Sequence, residues 1–229
     1  MNRDLQHDTM RVYQVLVDLR EDWGGGLVLC CGPGCANTGV PTAVSIAGGA
    51  TLAVDSDGAA MKSAMRAGYL DFVVNSLDEA LRTLKNEIRQ KRPLGVGLIV
   101  DVDVALAEMV ERGVQPDLQL VPLGSSDLSS PKIETLRARG MAHSVLPMLN
   151  HFGQSYCEYF FAAPGAAALR EIDAALLAAL PVGDAVRRRW LERVPRYLRE
   201  ARSGGRWTWL SEEELQSLAG RGFSPAPQP

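Results

Sequence analysis

Leu27-Val28-Leu29-Cys30-Cys31-Gly32-Pro33-Gly34-Cys35-Ala36-Asn37-Thr38-Gly39 is an apolar run that breaks into a glycine-rich turn, and a second apolar run ends on Asp55, 21 residues after Gly34. A strand that turns into a helix through glycines lets backbone N–H groups and the helix N-terminus approach a pyrophosphate, because no side chain stands in the way. An acid about 20 residues further on, at the tip of the next strand, can accept hydrogen bonds from ribose hydroxyls. This is the outline of a dinucleotide-binding βαβ unit. The third glycine of the G-x-G-x-x-G pattern is replaced by Asn37, with Gly39 two places later. A tight strand-to-helix turn with no ligand would use the same glycines, so both readings stand at this point.

Outward from that stretch the pattern alternates between strands and helices. Residues 9–20 have helical periodicity and stop at Gly24-Gly25-Gly26; strand one follows at Leu27 to Cys31. A helix is expected from Thr38 to Ala47, with Pro41 in its first turn, and strand two from Thr51 to Val54. Then come a helix at Ala59 to Ala67, a strand at Tyr69 to Val74, a helix at Leu77 to Lys91, a strand at Gly95 to Val100, a helix at Val104 to Arg112 and a strand at Pro116 to Val121. Alternation of this kind predicts a parallel sheet with helices on both faces, a Rossmann-like doubly wound α/β fold.

Beyond Val121 the reading becomes more helical. Pro122-Leu123-Gly124-Ser125-Ser126 begins a polar loop at the carboxyl end of a strand, the face on which open α/β sheets bind ligands. Helices are expected at Lys132 to Arg139 and Met141 to His151, and a strand at Tyr156 to Ala162. Ala166 to Arg202 reads as helix split at Pro181-Val182-Gly183, Arg206 to Leu210 as a strand, and Ser211 opens a last helix. One domain over residues 1–223 is expected, with a nucleotide-binding core at 27–121, a helical completion at 122–223 and a disordered, proline-rich tail at 224–229.

The chain has 229 residues, 24 basic and 27 acidic side chains and a net charge of −3, so it carries no basic field for nucleic acid or an anionic membrane. Its one basic cluster, Arg187-Arg188-Arg189 with Arg193 and Arg196, is expected to be a solvated helix face offset by Asp184, Glu192 and Glu200. No apolar run approaches the ~18 residues of a membrane span, and a cytoplasmic location is expected. Four cysteines in this spacing, with three histidines, suggest reduced thiols rather than a zinc site; a low-pKa Cys35 at a helix N-terminus is the alternative reading for that residue.

Several segments together resemble the urocanases, NAD-dependent urocanate hydratases. Gly34 through Gly49 is similar to their glycine-rich turn and following helix, and the likeness continues through Leu52-Ala53-Val54-Asp55-Ser56-Asp57, Ala67-Gly68-Tyr69-Leu70-Asp71, Leu77-Asp78-Glu79-Ala80-Leu81, Val96-Gly97-Leu98-Ile99 and Arg112-Gly113-Val114-Gln115-Pro116-Asp117-Leu118. It persists more faintly to residue 210, yet spans less than half of a urocanase, without the surrounding substrate core.

The resemblance implies NAD as cofactor, used as an electrophile in lyase chemistry on a small heteroaromatic or conjugated substrate. It implies cofactor contacts at Gly32, Gly34, Cys35, Ala36, Asn37, Asp55, Asp101, Val102, Gly124, Ser125, Ser126 and Tyr159. His151, Glu158 and Tyr159 are the catalytic candidates, with His143 in the same acid/base set; structural roles for the histidine beside Phe152 and for Tyr159 compete with that assignment.

The departures are chemical. The family's Gly-Met-Gly is Cys35-Ala36-Asn37, its Gln-Thr-Ser-Ala-His loop is Pro122-Leu123-Gly124-Ser125-Ser126, the basic residue after its ribose acid is Ala60, and its Asn-Ala pair is Asp101-Val102. A carboxylate ~4 Å from a phosphate would oppose it by about 4 kcal/mol at an effective dielectric near 20. Two function classes follow: a urocanase-like enzyme that binds NAD or a related nucleotide, and a non-catalytic nucleotide- or partner-binding module that has lost the NAD site. A nicotinamide-dependent hydride-transfer enzyme ranks behind both, for want of a catalytic Ser/Tyr/Lys or His/Asp arrangement. Expected partners are a small-molecule substrate and either a second copy or a protein that supplies the missing core.

Overall fold

The computed structural model describes residues 3–121, 130–145, 156–198 and 204–226. Its centre is a six-stranded, all-parallel sheet: β1 (Leu27–Cys31), β2 (Ala50–Asp55), β3 (Phe72–Val74), β4 (Leu94–Ile99), β5 (Leu118–Val121) and β6 (Ala142–Val145), in the order β3-β4-β2-β1-β5-β6. Helices α1 (Arg3–Leu19), α2 (Val40–Ala47) and α3 (Gly58–Ala67) pack on one face. The other carries α4 (Leu77–Arg89), α5 (Val102–Glu111) and α6 (Pro131–Ala138).

The two-residue period of a strand divides the apolar residues between these layers. On β1, Val28 and Cys30 join the core under α1 and α2, whereas Leu27, Leu29 and Cys31 join the core under α4, α5 and α6. Both faces of β1 are therefore buried, which is why it reads as an uninterrupted apolar run. From β1 the chain moves to β2, and after β4 it returns to the other side of β1 as β5. The switch point lies between β1 and β5 at their carboxyl ends, the location where doubly wound sheets open a crevice. The expected doubly wound fold is the observed one.

A further layer covers the α1/α2 face. It consists of the antiparallel pair β7 (Cys157–Ala162) and β8 (Gly205–Leu210) with α7 (Ala166–Ala179), α8 (Ala185–Tyr197) and α9 (Glu212–Ala219). Tyr13, Trp190 and Trp209 are buried together at its centre. The polar contacts across this junction are specific: the Gln6 amide donates to Gly205 O at 3.2 Å and accepts from Trp207 N–H at 2.8 Å, and the Tyr13 hydroxyl donates to Val186 O at 2.7 Å.

Four expectations are corrected. Met141 to His151 is not a helix at its start, since Ala142–Val145 is the edge strand β6, and residues 146–151 lie outside the described residues. Gly140, at φ +111°, ends α6 and turns the chain back along β5, whose backbone groups it pairs; that long-range pairing overrides local helical character. The first helix begins at Arg3, not residue 9, because its polar first turns are held by Gln6 on β8.

Arg187 is not on a solvated face. It is 1% exposed and held by Asp184 at 2.6 Å, by Glu214 at 2.6 and 2.8 Å, by Trp209 O at 3.2 Å and by the ring of Tyr156. Arg188 conforms better to the expectation, facing Glu192 at 3.8 Å. At the C-terminus, Ala226 N–H donates to Phe160 O at 2.7 Å, so the packed chain extends beyond the boundary expected at residue 223.

Candidate functional site

The turn after β1 occupies the carboxyl end of the sheet, where a ligand would sit. Gly34 adopts φ +73°, open to glycine at no steric cost, and Cys35–Asn37 form one 3-10 turn before α2. Asp55, at the tip of β2, is 4% exposed. Its two carboxylate oxygens are engaged by backbone: Oδ2 accepts from Gly34 N–H at 2.8 Å and Oδ1 from Asp57 N–H at 2.9 Å.

Three further amides at the turn are also used. Gly32 N–H donates to Val54 O at 3.0 Å, Cys35 N–H to Gly32 O at 3.1 Å and Asn37 N–H to Gly34 O at 2.8 Å. Cys35 and Ala36 are buried and Asn37 is exposed. Gly39, at φ +76°, lies directly under α1, and a Cβ there would fall 2.6 Å from Thr9 Oγ1 and 3.0 Å from the Thr9 backbone. Its freedom serves the packing of α1 on the start of α2.

The thiols beneath the turn are sealed. A hydrogen bond with Cys35 and then burial raise the Cys30 thiol well above its ordinary value; burial, followed by the neighbouring Cys35, does the same for Cys31. Cys35 is 0% exposed, which removes the access that a nucleophilic cysteine needs. Among the described residues no group of three or more His, Cys, Asp or Glu is placed to hold a metal ion.

A cleft of about 190 Å³ opens beside the turn, lined by Gly32, Pro33, Asp55 and Ser56 on one side and Asp101, Val102, Asp103, Leu106 and Ser130 on the other. Asp101 Oδ1 caps α5 by accepting from Asp103 N–H at 2.9 Å and Val104 N–H at 3.2 Å, and Ser130 caps α6 through Ile133 N–H. Three carboxylates thus line the cleft, and no basic side chain does so among the described residues. Lys132 stands near, paired with Asp103 at 3.6 Å. A larger hollow of about 550 Å³ lies elsewhere, at the amino end of β1, between Leu27, Leu81, Leu84, Ile88 and Val114. It is remote from the strand ends that bear the expected site.

The structure brings Gly32, Asp55, Asp101 and Val102 to one cleft, with Gly34, Cys35, Ala36 and Asn37 in the adjoining turn. Glu158 and Tyr159 do not line it. They are neighbours on β7 and so point to opposite faces of that strand. Tyr159 packs against the core, where burial, with Cys157 adding to it, pushes its phenol upward. Burial would raise the Glu158 carboxyl, but a 2.6 Å contact to His7 Nε2 and the Arg11 guanidinium at 3.5 Å outweigh it and hold it below the ordinary range.

His7 itself stacks on Trp207, with ring centroids 4.1 Å apart. It joins a residue 151 positions away, and no local pattern announces such a pair. His143 lies on β6, with Nδ1 2.8 Å from Arg137 Nη2. His151, Gly124, Ser125 and Ser126 lie outside the described residues.

The sheet order, the glycine turn after β1 and the cleft at the switch point define a Rossmann-like α/β unit. Residues 9–121, just under half of the chain, match the family model of the Urocanase Rossmann-like domain. No helix among the described residues is long and apolar enough to cross a membrane.

The family implies NAD, and the described residues do not fit it in the manner the motif suggests. A pyrophosphate needs free amides at the turn, yet four of them, at Gly32, Gly34, Cys35 and Asn37, already have acceptors, which leaves Ala36 within the three-residue turn. Each oxygen of Asp55 already accepts one backbone N–H, which leaves one lone pair on each for a ribose hydroxyl. The charge of the cleft is negative where the cofactor's is also negative.

Proposed function

We propose that this chain is a non-catalytic binding module, built on a urocanase Rossmann-like domain whose NAD site has been closed by its own residues. The observation that carries this reading is the Asp55 carboxylate. It occupies the Gly34 amide that would meet phosphate, and it places a negative charge beside a cleft already lined by Asp101 and Asp103. On this reading the sheet and its helices serve as a scaffold that presents a surface to a partner protein or to another ligand.

A second reading, an NAD-dependent lyase acting on a small heteroaromatic or conjugated substrate, draws support from the family match over residues 9–121 and from glycines at positive φ at 32, 34 and 39. It requires the Gly34 amide to exchange Asp55 for phosphate when the cofactor arrives. One experiment separates the two. The purified full chain is denatured and its supernatant examined by absorbance and mass, and the native chain is titrated with NAD while its thermal midpoint is followed. The binding-module reading expects no nucleotide and no shift. NAD released at near one per chain, or a saturable rise in midpoint, overturns it in favour of the lyase.

A further inference from the structure

The hollow of about 550 Å³ at the amino end of β1 has an apolar floor and a charged rim. Leu27 of β1, Leu81, Leu84 and Ile88 of α4, and Val114 just beyond α5 supply the floor. Leu27 and Leu84 are buried, whereas Leu81, Ile88 and Val114 are half-buried, so aliphatic surface stays open to solvent there. The volume falls within the roughly 300–1,000 Å³ of sites that hold small molecules.

Asp78, Leu81, Arg82, Lys85 and Ile88 follow at i, i+3, i+4, i+7 and i+10, which sets rim and floor along one stripe of α4. Most charges near that stripe are matched. Arg112 bridges to Asp78 and pairs with Glu108 at 2.8 Å, which ties the end of α5 to the start of α4. Arg89 lies in the last turn of α4, where a cation offsets the helix dipole, and donates to Asn86 Oδ1 at 3.3 Å. Arg92 pairs with Glu87 at 2.6 Å.

Arg82 and Lys85 differ from these. They lie mid-helix and exposed, and neither side chain has an ion pair or hydrogen bond among the described residues. Two cations one turn apart on a helix repel each other. In a chain of net charge −3, they leave a local positive excess above an aliphatic floor. The one uncharged polar side chain that lines the hollow, Gln115, donates to Pro116 O at 3.3 Å and to Leu136 O at 3.1 Å, so its amide N–H groups are not offered to a hydroxylated ligand.

We propose that this hollow is a binding site for a small amphipathic anion, a carboxylate with an unbranched aliphatic body. The carboxylate accepts from Arg82 and Lys85, whose exposed side chains reach it from the solvent side with no change in the fold. The body covers Leu81, Ile88 and Val114 and displaces water from them. The site is at the end of the strands opposite Asp55, so it stands or falls independently of whether the chain binds NAD.

The test titrates the full chain with decanoate below its micellar concentration, followed by calorimetry and by amide chemical shifts. Saturable binding at a single site is expected, with shifts confined to α4 and residues 113–115. Octanoate, two methylenes shorter, is expected to bind about fourfold more weakly, the scale of methylenes half removed from water. Decyltrimethylammonium, with the same body and the opposite charge, is expected not to bind. Arg82→Gln combined with Lys85→Gln is expected to weaken decanoate about tenfold, the scale of two exposed ion pairs, with circular dichroism unchanged. Lys62→Gln combined with Arg89→Gln removes the same charge from exposed positions outside the hollow and is expected to leave the affinity unaltered. Leu81→Glu, which sets a carboxylate into the floor, is expected to abolish binding. Absence of saturable decanoate binding, equal affinity for octanoate or decyltrimethylammonium, equal losses in the two double variants, or unaltered binding in a folded Leu81→Glu chain overturns the proposal. Should Leu81→Glu fail to fold, the double variants, substituted only at exposed positions, decide it.

Discussion

The strand ends of the sheet and the layer packed over α1 and α2 satisfy their carboxylates in opposite ways. At the sheet, Asp55 accepts from Gly34 and Asp57 N–H, Asp71 from Gly95 N–H, Asp101 from Asp103 and Val104 N–H, and Asp117 from Leu27 N–H. In the outer layer, Asp173 binds the Arg206 guanidinium, Asp184 and Glu214 bind Arg187, and Glu158 binds His7. The first kind meets backbone N–H groups, from two residues away at Asp57 to 90 away at Leu27, and fixes turns, caps and strand ends. The second meets side chains, from three residues away at Asp184 to 151 away at Glu158, and fixes how helices and strands pack. Asp55, a carboxylate of the first kind, shapes the glycine turn that borders the cleft.

The comparison is broken most severely in the outer layer. Asp173→Ala leaves the fully buried Arg206 guanidinium without its counter-ion, and a loss of about 3–5 kcal/mol is expected, read from urea denaturation. Asp55→Ala strips acceptors from two amides that lie beside a cleft and can recruit water, so about 2 kcal/mol is expected from the same measurement. A loss from Asp55→Ala as large as that from Asp173→Ala would erase the distinction between the two regions.

The smallest effect is on acid sensitivity. Glu158 and Glu214 are pushed up by burial, but His7 with Arg11, and Arg187 with Ser211, respectively outweigh it and hold both carboxyls below the ordinary glutamate value of 4.5. A folded value below the unfolded one adds stability that is present above the unfolded value and lost as pH falls through the folded one. Denaturation midpoints should therefore drop as pH is lowered from about 5 to about 3, and Glu214→Gln should make that drop shallower. An identical slope in the variant would remove Glu214 from the account.

The sheet was largely legible because its signals are local. Apolar runs of strand length, positive-φ glycines at turns and caps such as Ser76, Ser130 and Ser211 each follow from a few neighbouring residues. β6 was not legible, because what makes Ala142–Val145 a strand is the open edge of β5 rather than its own composition. Arg187 read as surface because its arginine-rich neighbourhood is visible in sequence while Glu214, 27 residues away, is not visible as its partner. The spacing placed Asp55 correctly at the strand tip. It carried no information on which way the carboxylate turns, and a single χ rotation separates an acid that meets ribose from one that holds its own turn. Tyr159 and Glu158 belong to one expected acid/base set in the later part of the chain, yet neighbours on a strand point to opposite faces.

The sealed thiols have a use of their own. Cys157 is exposed, whereas Cys30, Cys31 and Cys35 lie buried under the glycine turn. An alkylating reagent in excess therefore meets one sulfur at once and reaches three only when the chain opens at that end of the sheet. The slow labelling phase is an internal clock for that opening, and any molecule that grips the turn would slow it.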